Sequence, residues 1–170
     1  MRWILAVAAV ALLAGCGGSS GPKTFHQDGF DITFRIPDGF KQASDVTVSQ
    51  QAGQASARGG VLLDSHNGIF LLAYSLRKSI DASNVSEAKP ELDRSLSGLT
   101  GKSESGKRVE FGGLPGYEYM VDVTNPANGH SRLVFLFHGT HEDEINCQWT
   151  DKESEVTNGC DTVLSTLKTK

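Results

Sequence analysis

Hydrophobic and polar positions along the chain change period several times, and each change marks an element. Phe30, Ile32, Phe34 and Ile36 alternate with Asp31, Thr33 and Arg35, the period-two pattern of a half-buried strand, and Pro37-Asp38-Gly39 predicts the turn that ends it. A weaker strand is expected at 46–49. The stretch from Gln50 to Gly60, rich in Gln, Ala, Ser and Gly, reads as a loop, either a binding loop or a disordered excursion. Val61-Leu62-Leu63 and the apolar run 69–74 flank Asp64-Ser65-His66-Asn67-Gly68, which predicts a hairpin. Val85, Ala88, Leu92, Leu96 and Leu99 then recur at helical spacing. Asn84 with Glu87 predicts a capping box, Pro90 either kinks this helix or marks its start, and Gly98 and Gly101 end it.

The second half is richer in strands. A short one is expected at 108–111, then a turn over Gly112-Gly113-Leu114-Pro115-Gly116, then a strand in which Tyr117, Tyr119, Val121 and Val123 alternate inward. Asn125-Pro126-Ala127-Asn128-Gly129 turns the chain again. The run 133–137 is apolar on every residue, 138–144 is a polar turn, and 145–150 is the last strand. A closing helix aligns Val156, Cys160, Val163, Leu164 and Leu167 on one face. A sheet with one wet face would alternate, so the uniform runs 69–74 and 133–137 belong to strands covered on both sides. Hairpin-length connections make most neighbours antiparallel. The expected fold is α+β: a three-layer sandwich with a mainly antiparallel central sheet and helices on both faces.

The start of the chain has a different character. Ile4 to Ala14 is an apolar run of eleven residues after Met1-Arg2-Trp3. As a helix it reaches only ~16 Å, against a bilayer core of ~30 Å, so a secretory signal fits and a spanning helix does not. Leu13-Ala14-Gly15-Cys16 follows in the order of a lipobox, and the segment resembles a bacterial lipoprotein signal. The expectation is cleavage between Gly15 and Cys16 and acylation of the Cys16 thiol. Two or more acyl chains hold a protein stably on a membrane where one does not. Gly17-Gly18-Ser19-Ser20-Gly21-Pro22-Lys23 has no side chain suited to a core and reads as a tether of about 15 Å. The expected organisation is therefore a signal peptide at 1–15, a lipidated Cys and tether at 16–23, and a single α+β domain at 24–170.

Charge and cysteine count narrow the partners. The whole chain carries a formal net charge of −4, and loss of the signal removes a base and no acid. With no basic stripe interleaved with aromatics, nucleic acid is not an expected partner. Mild acidity also disfavours adsorption to anionic headgroups. Of three cysteines, acylation of Cys16 leaves Cys147 and Cys160. Cys147 shares a strand face with Ile145 and Trp149, and Cys160 lies on the apolar stripe of the closing helix. Both thiols therefore point into the same strand–helix contact. The expectation is a Cys147–Cys160 disulfide, which the compartment of an exported protein allows to persist; the alternative is a pair of buried free thiols.

Several of these segments resemble a known family. Gly29-Phe30-Asp31-Ile32-Thr33-Phe34-Arg35-Ile36-Pro37-Asp38-Gly39-Phe40 is similar to the opening strand of PsbP-like and Mog-like domains. Gly112-Gly113-Leu114-Pro115-Gly116-Tyr117 is similar to their glycine turn before a central strand. The apolar strand at 133–137 and the closing helix with Val163-Leu164-Ser165-Thr166-Leu167 fit as well. Bacterial lipoproteins, including the actinobacterial LpqN-type group, carry such domains. The resemblance implies an assembly factor or binding module and carries over no catalytic residue.

Candidate chemistry is sparse. Gly98-Leu99-Thr100-Gly101-Lys102-Ser103 ends like a phosphate loop, but Leu96 stands where its first glycine is required and the segment follows a helix instead of opening one. His138, His141, Glu142, Asp143 and Glu144 crowd one predicted turn. Imidazoles and carboxylates are metal ligands, yet the spacing matches no defined site and a charged hairpin tip explains it equally. Asp28, Asp31 and Asp38 read as strand-edge and turn residues, and no GxSxG elbow is present. Tyr74, Tyr117, Tyr119 and Trp149 either fill the core or line an apolar pocket. The expected function is a non-catalytic, lipid-anchored lipoprotein of the cell envelope at the extracytoplasmic face of a membrane. It would need no cofactor and would bind or help assemble an envelope partner. The alternatives are a carrier of a small apolar ligand between sheet and helix, and a metal-dependent enzyme using the 138–144 region.

Overall fold

The computed structural model describes residues 21–44, 46, 55–123 and 128–170. The signal at 1–15, Cys16, most of the tether, residues 47–49 of the strand expected at 46–49, the first part of the loop expected at 50–60 and most of the turn at 125–129 lie outside these residues.

Among the described residues nine strands and two helices follow in order: β1 (Thr24–Phe25), β2 (Ile32–Arg35), β3 (Lys41–Ala43), β4 (Ala57–Leu62), β5 (Gly68–Ile80), α1 (Lys89–Thr100), β6 (Lys107–Phe111), β7 (Leu114–Val123), β8 (Gly129–Trp149), α2 (Glu153–Thr166) and β9 (Lys168–Thr169). The main sheet runs β3-β4-β5-β8-β7-β6, and a small one runs β1-β2-β9; every pairing is antiparallel.

β8 organises the main sheet. It is one unbroken extended run of 21 residues. A straight strand would hold His130 and Trp149 ~60 Å apart, but their ring centroids are 5.9 Å apart. The run therefore doubles back on itself. Gly139, at φ 63°, sits at the midpoint and supplies the positive φ that a two-residue turn of this kind requires. His138 and His141 flank it with rings stacked at 5.4 Å. The arm before the reversal pairs with β7, from Gly129 to Leu136, and the arm after it pairs with β5, from His141 to Gln148. Two strands with a reversal between them thus agree with the expectation, but the polar turn is much shorter than 138–144. Residues 141–144 belong to the ladder.

Adjacent residues of β8 face opposite layers, as period two demands. Val134 and Leu136 join Ile145, Cys147 and Trp149 in one apolar cluster with Val156, Cys160, Val163 and Leu164 of α2 and Phe25, Ile32 and Phe34 of the small sheet. Leu133, Phe135 and Phe137 join Tyr117, Tyr119 and Val121 of β7 in a second, which Leu96 and Leu92 of α1 cover together with Ala88 just before that helix. The run 133–137 is buried throughout because both layers cover it, and 69–73 is buried as well, with Tyr74 half-buried at its end. The result is the three-layer α+β arrangement, with α2 and the small sheet on one side and α1 on the other. Cys147 and Cys160 form a disulfide with Cα atoms 5.9 Å apart, tying β8 to α2. Closing a loop of this length contributes about 3 kcal/mol in the chain-entropy model.

Other boundaries differ from the sequence reading. Ala57–Gly60, expected in the loop from Gln50 to Gly60, is the first part of β4, paired with Phe70–Ala73. β3 lies at Lys41–Ala43, and Val46 is outside any strand. The capping box does not form: Asn84 makes no side-chain cap and instead accepts the Asp81 N–H at 2.8 Å. Val85–Glu87 makes one 3-10 turn, and Pro90 marks the start of α1, where its missing N–H costs nothing. Gly98 lies inside that helix, and Gly101 terminates it in the left-handed conformation. Leu114, Pro115 and Gly116 belong to β7, leaving Gly112-Gly113 as the turn.

Candidate functional site

The histidine–carboxylate segment expected to form one tip is divided by the sheet. Asp143 pairs with Ala73 and faces the α2 layer; Glu142 and Glu144 pair with Tyr74 and Leu72 and face the other way. On the Asp143 side, the His138 Nε2 lies 3.0 Å from Asp143 Oδ2, with the carboxylate nearly fully buried. That carboxylate holds the His138 imidazole charged to higher pH than usual, against the opposing effect of burial. His141 stacks on His138 and approaches Asp31 at 3.9 Å while remaining half-exposed. On the opposite side, Tyr74 donates its hydroxyl to Glu144 Oε2 at 3.2 Å. Burial pushes Glu144 up to about 7. Burial first, and then the neighbouring Glu144 and Asp143 charges, push Glu142 up to about 7.

This placement separates Glu142 from His138, His141 and Asp143. Among the described residues no three His, Cys, Asp or Glu side chains converge where a metal ion could sit. The His138–Asp143 pair has the form of a base with its orienting acid. Among the described residues no hydroxyl or thiol hydrogen-bonds that imidazole, so the nucleophile of a triad is not in place. His66 accepts the Ser65 hydroxyl or donates to it in the β4–β5 turn, and His130 pairs with Asp122. Asp28, Asp31 and Asp38 do not meet as an acid–base pair: Asp28 and Asp38 are exposed turn residues.

These ionisations make stability depend on pH. Glu142 and Glu144 take up protons on folding between their ordinary value of 4.5 and about 7, so they favour the folded state progressively less as pH rises through that window. His138 acts in the same direction, because stability from a raised imidazole is present below its unfolded value and lost as pH rises through its folded one. Asp64, held well below the usual carboxylate range by Lys152, loses its contribution only in strong acid. Thermal melts are therefore expected to show a higher Tm at pH 5 than at pH 8, by an amount equivalent to about 3 kcal/mol after solvent screening. Glu144→Gln should remove a large part of that difference. A Tm that climbs from pH 5 to pH 8 would refute this account.

A surface feature was not anticipated. Met120, on β7, is 60% exposed. It stands between two shallow clefts. One, of about 240 Å³, is lined by Met120, Val121, Asp122, His130, Trp149 and Glu153; the other, of about 380 Å³, by Glu104, Ser105, Lys107, Glu118, Tyr119 and Met120. The aromatic residues weighed as pocket lining are mostly spent on packing. Tyr117 and Tyr119 are buried in the α1-side cluster, and the Tyr119 hydroxyl donates to Asp93 at 2.8 Å. Trp149 is 4% exposed at the floor of the smaller cleft.

No protein-family model and no curated protein sequence matches this chain. Solved structures do. A protein from Bacteroides thetaiotaomicron VPI-5482 superposes with a TM-score of 0.56 at 15% identity over 88% of this chain, which spans 48% of that protein's length. Cyanobacterial PsbP from Synechocystis sp. PCC 6803 gives 0.57 at 12% identity, covering 93% of this chain and 99% of that one. LpqN of Mycobacterium tuberculosis, described as involved in cell envelope biogenesis, gives 0.52 at 14% identity over 90% of this chain and 88% of that one. At these identities the likeness concerns architecture, and on that ground the chain has a PsbP-like fold.

Proposed function

We propose that this chain is a lipid-anchored, non-catalytic binding or assembly module of the cell envelope, held at the extracytoplasmic face of a membrane. The observation that carries the reading is Leu13-Ala14-Gly15-Cys16 joined to a PsbP-like domain. A shared fold does not transfer a function, but a neighbour described in terms of envelope biogenesis is consistent with an exported, membrane-tethered chain. No helix among the described residues is long and apolar enough to cross a membrane, so in this reading the acylated Cys16 supplies the attachment. The divided His138–Glu144 segment and the packed tyrosines give the metal-enzyme and carrier readings no comparable support.

Fractionation of producing cells tests the anchor. The native chain should sediment with membranes, resist alkaline extraction and incorporate labelled fatty acid. Cys16→Ser should lose the label and either leave the membrane or accumulate uncleaved. If the label is absent from the native chain and fractionation does not change in the variant, the anchor is wrong.

A further inference from the structure

We propose that the outer edge of β7 around Met120 is the docking surface for an extended, basic segment of a protein partner. This rests on the binding-module reading above and assigns it a place. Three observations meet there. First, β6 stops pairing with β7 at Lys107 opposite Glu118, so among the described residues β7 continues alone as the edge of the main sheet from Tyr119 to Val123. An unpaired edge is a template for an added strand. Second, Met120 lies in the outward register of β7 between Glu118 and Asp122, where the alternation calls for another polar residue. It is the most exposed large hydrophobic side chain among the described residues. An unbranched thioether adapts to varied apolar partners. Third, the clefts on either side of Met120 are open and small, suited to single side chains and not to an enclosed metabolite.

Charge selects the occupant. Asp122 and Glu153, with His130, border the smaller cleft, and Glu104 and Glu118, with Lys107, the larger, so carboxylates outnumber bases in both. Asp122 pairs with exposed Lys102 at 2.9 Å and with His130 at 3.0 Å, both exchangeable surface contacts, and Glu118 pairs with Arg132. Glu153 has no ion-pair partner among the described residues. At Glu153 the smaller cleft offers a carboxylate, a setting that suits a lysine or arginine side chain. An apolar residue of the partner would rest on Met120, and its neighbours would reach the carboxylates.

The test uses the full-length chain in detergent micelles and two synthetic nine-residue peptides, one alternating valine with lysine and the other valine with glutamate. The lysine peptide should bind, with amide chemical-shift changes centred on 119–123, and binding should weaken as salt is raised. The glutamate peptide should not bind. Met120→Lys, at an exposed position that leaves the core intact, should weaken binding at least tenfold with an unchanged melting temperature. Glu153→Gln should weaken it and flatten the salt dependence. Equal binding of both peptides, or affinity indifferent to Met120→Lys, overturns the proposal. A concentration-dependent dimer dissolved by Met120→Lys overturns it in favour of a second copy of this chain. These outcomes are independent of the Cys16 experiment: an anchored protein with an inert β7 edge would leave the envelope reading intact and remove only this surface.

Discussion

Asn67→Ala should destabilise the protein by about 4 kcal/mol, measured as the shift in urea-unfolding free energy. Asn67 sits in the β4–β5 turn and is 2% exposed. Its amide nitrogen donates to Asp64 Oδ1 and to Asp151 Oδ1, each at 2.9 Å. Its amide oxygen accepts the backbone N–H groups of Thr150 at 3.0 Å and Lys152 at 3.3 Å. Asp64 in turn accepts Lys152 at 2.7 Å. One side chain therefore joins the hairpin to the connection that leads from β8 into α2, more than eighty residues away in sequence. Alanine would orphan two backbone donors and loosen two carboxylates. An unsatisfied buried group costs about 1–3 kcal/mol, and a network loses more than its separate bonds. Asn67→Asp would test the same point by a different route, setting a third carboxylate against Asp64 and Asp151. A loss under about 1 kcal/mol for Asn67→Ala would show that water replaces the side chain and that the latch contributes little.

The pattern of apolar residues carried most of the architecture because burial itself makes that pattern. Phe30, Ile32, Phe34 and Ile36 alternate because β2 is covered on one side, and 133–137 do not alternate because both layers cover them. Misreadings cluster where a strand has no contrast to display. Ala57 to Gly60 are small or polar, carry no period, and pair with Phe70 to Ala73 of β5. Of the two roles open to Pro90 the helix start is the one adopted, and the capping box upstream fails by a different competition: the Asn84 side-chain oxygen accepts the Asp81 N–H and its amide nitrogen donates to the Ser79 carbonyl, so it is unavailable as a cap.

The candidate sites were harder to read, for reasons of geometry. Sequence proximity brought His138, His141, Glu142 and Asp143 together, but a paired strand sends neighbours to opposite faces, and only His138, His141 and Asp143 share one. The Tyr74–Glu144 contact joins residues 70 apart and depends on register, which no local pattern reveals. Met120 did leave a signal. In a strand whose inward positions are Tyr117, Tyr119, Val121 and Val123, an apolar residue between Glu118 and Asp122 is out of phase.

Gly116→Ala should be the most damaging glycine-to-alanine change among the described residues, costing at least about 4 kcal/mol or preventing recovery of folded protein. Gly116 lies in β7 opposite Leu136 of β8, and a Cβ built there would fall 1.9 Å from the Phe135 carbonyl oxygen and 2.9 Å from its carbon. Those are backbone atoms of a strand fixed on both sides, with Phe135 in the α1-side cluster and Leu136 in the α2-side cluster. A flexible side chain could swing away from such a contact, but here relief means separating two central strands. Added volume in a well-packed core usually costs about 1–3 kcal/mol, and larger losses mark sites that cannot relax. The resemblance of 112–117 to a glycine turn therefore concealed two requirements. Gly112 and Gly113 serve the turn with positive φ, whereas Gly116 serves the close approach of β8. Gly98→Ala supplies the contrast. That glycine is inside α1 with nothing within 4 Å of an added Cβ, so the same methyl should stabilise by about 0.5–1 kcal/mol through helix propensity. Opposite signs in parallel denaturation curves would identify strand approach as the cause, and equal, small effects at both positions would show that β7 and β8 can separate enough to admit the methyl.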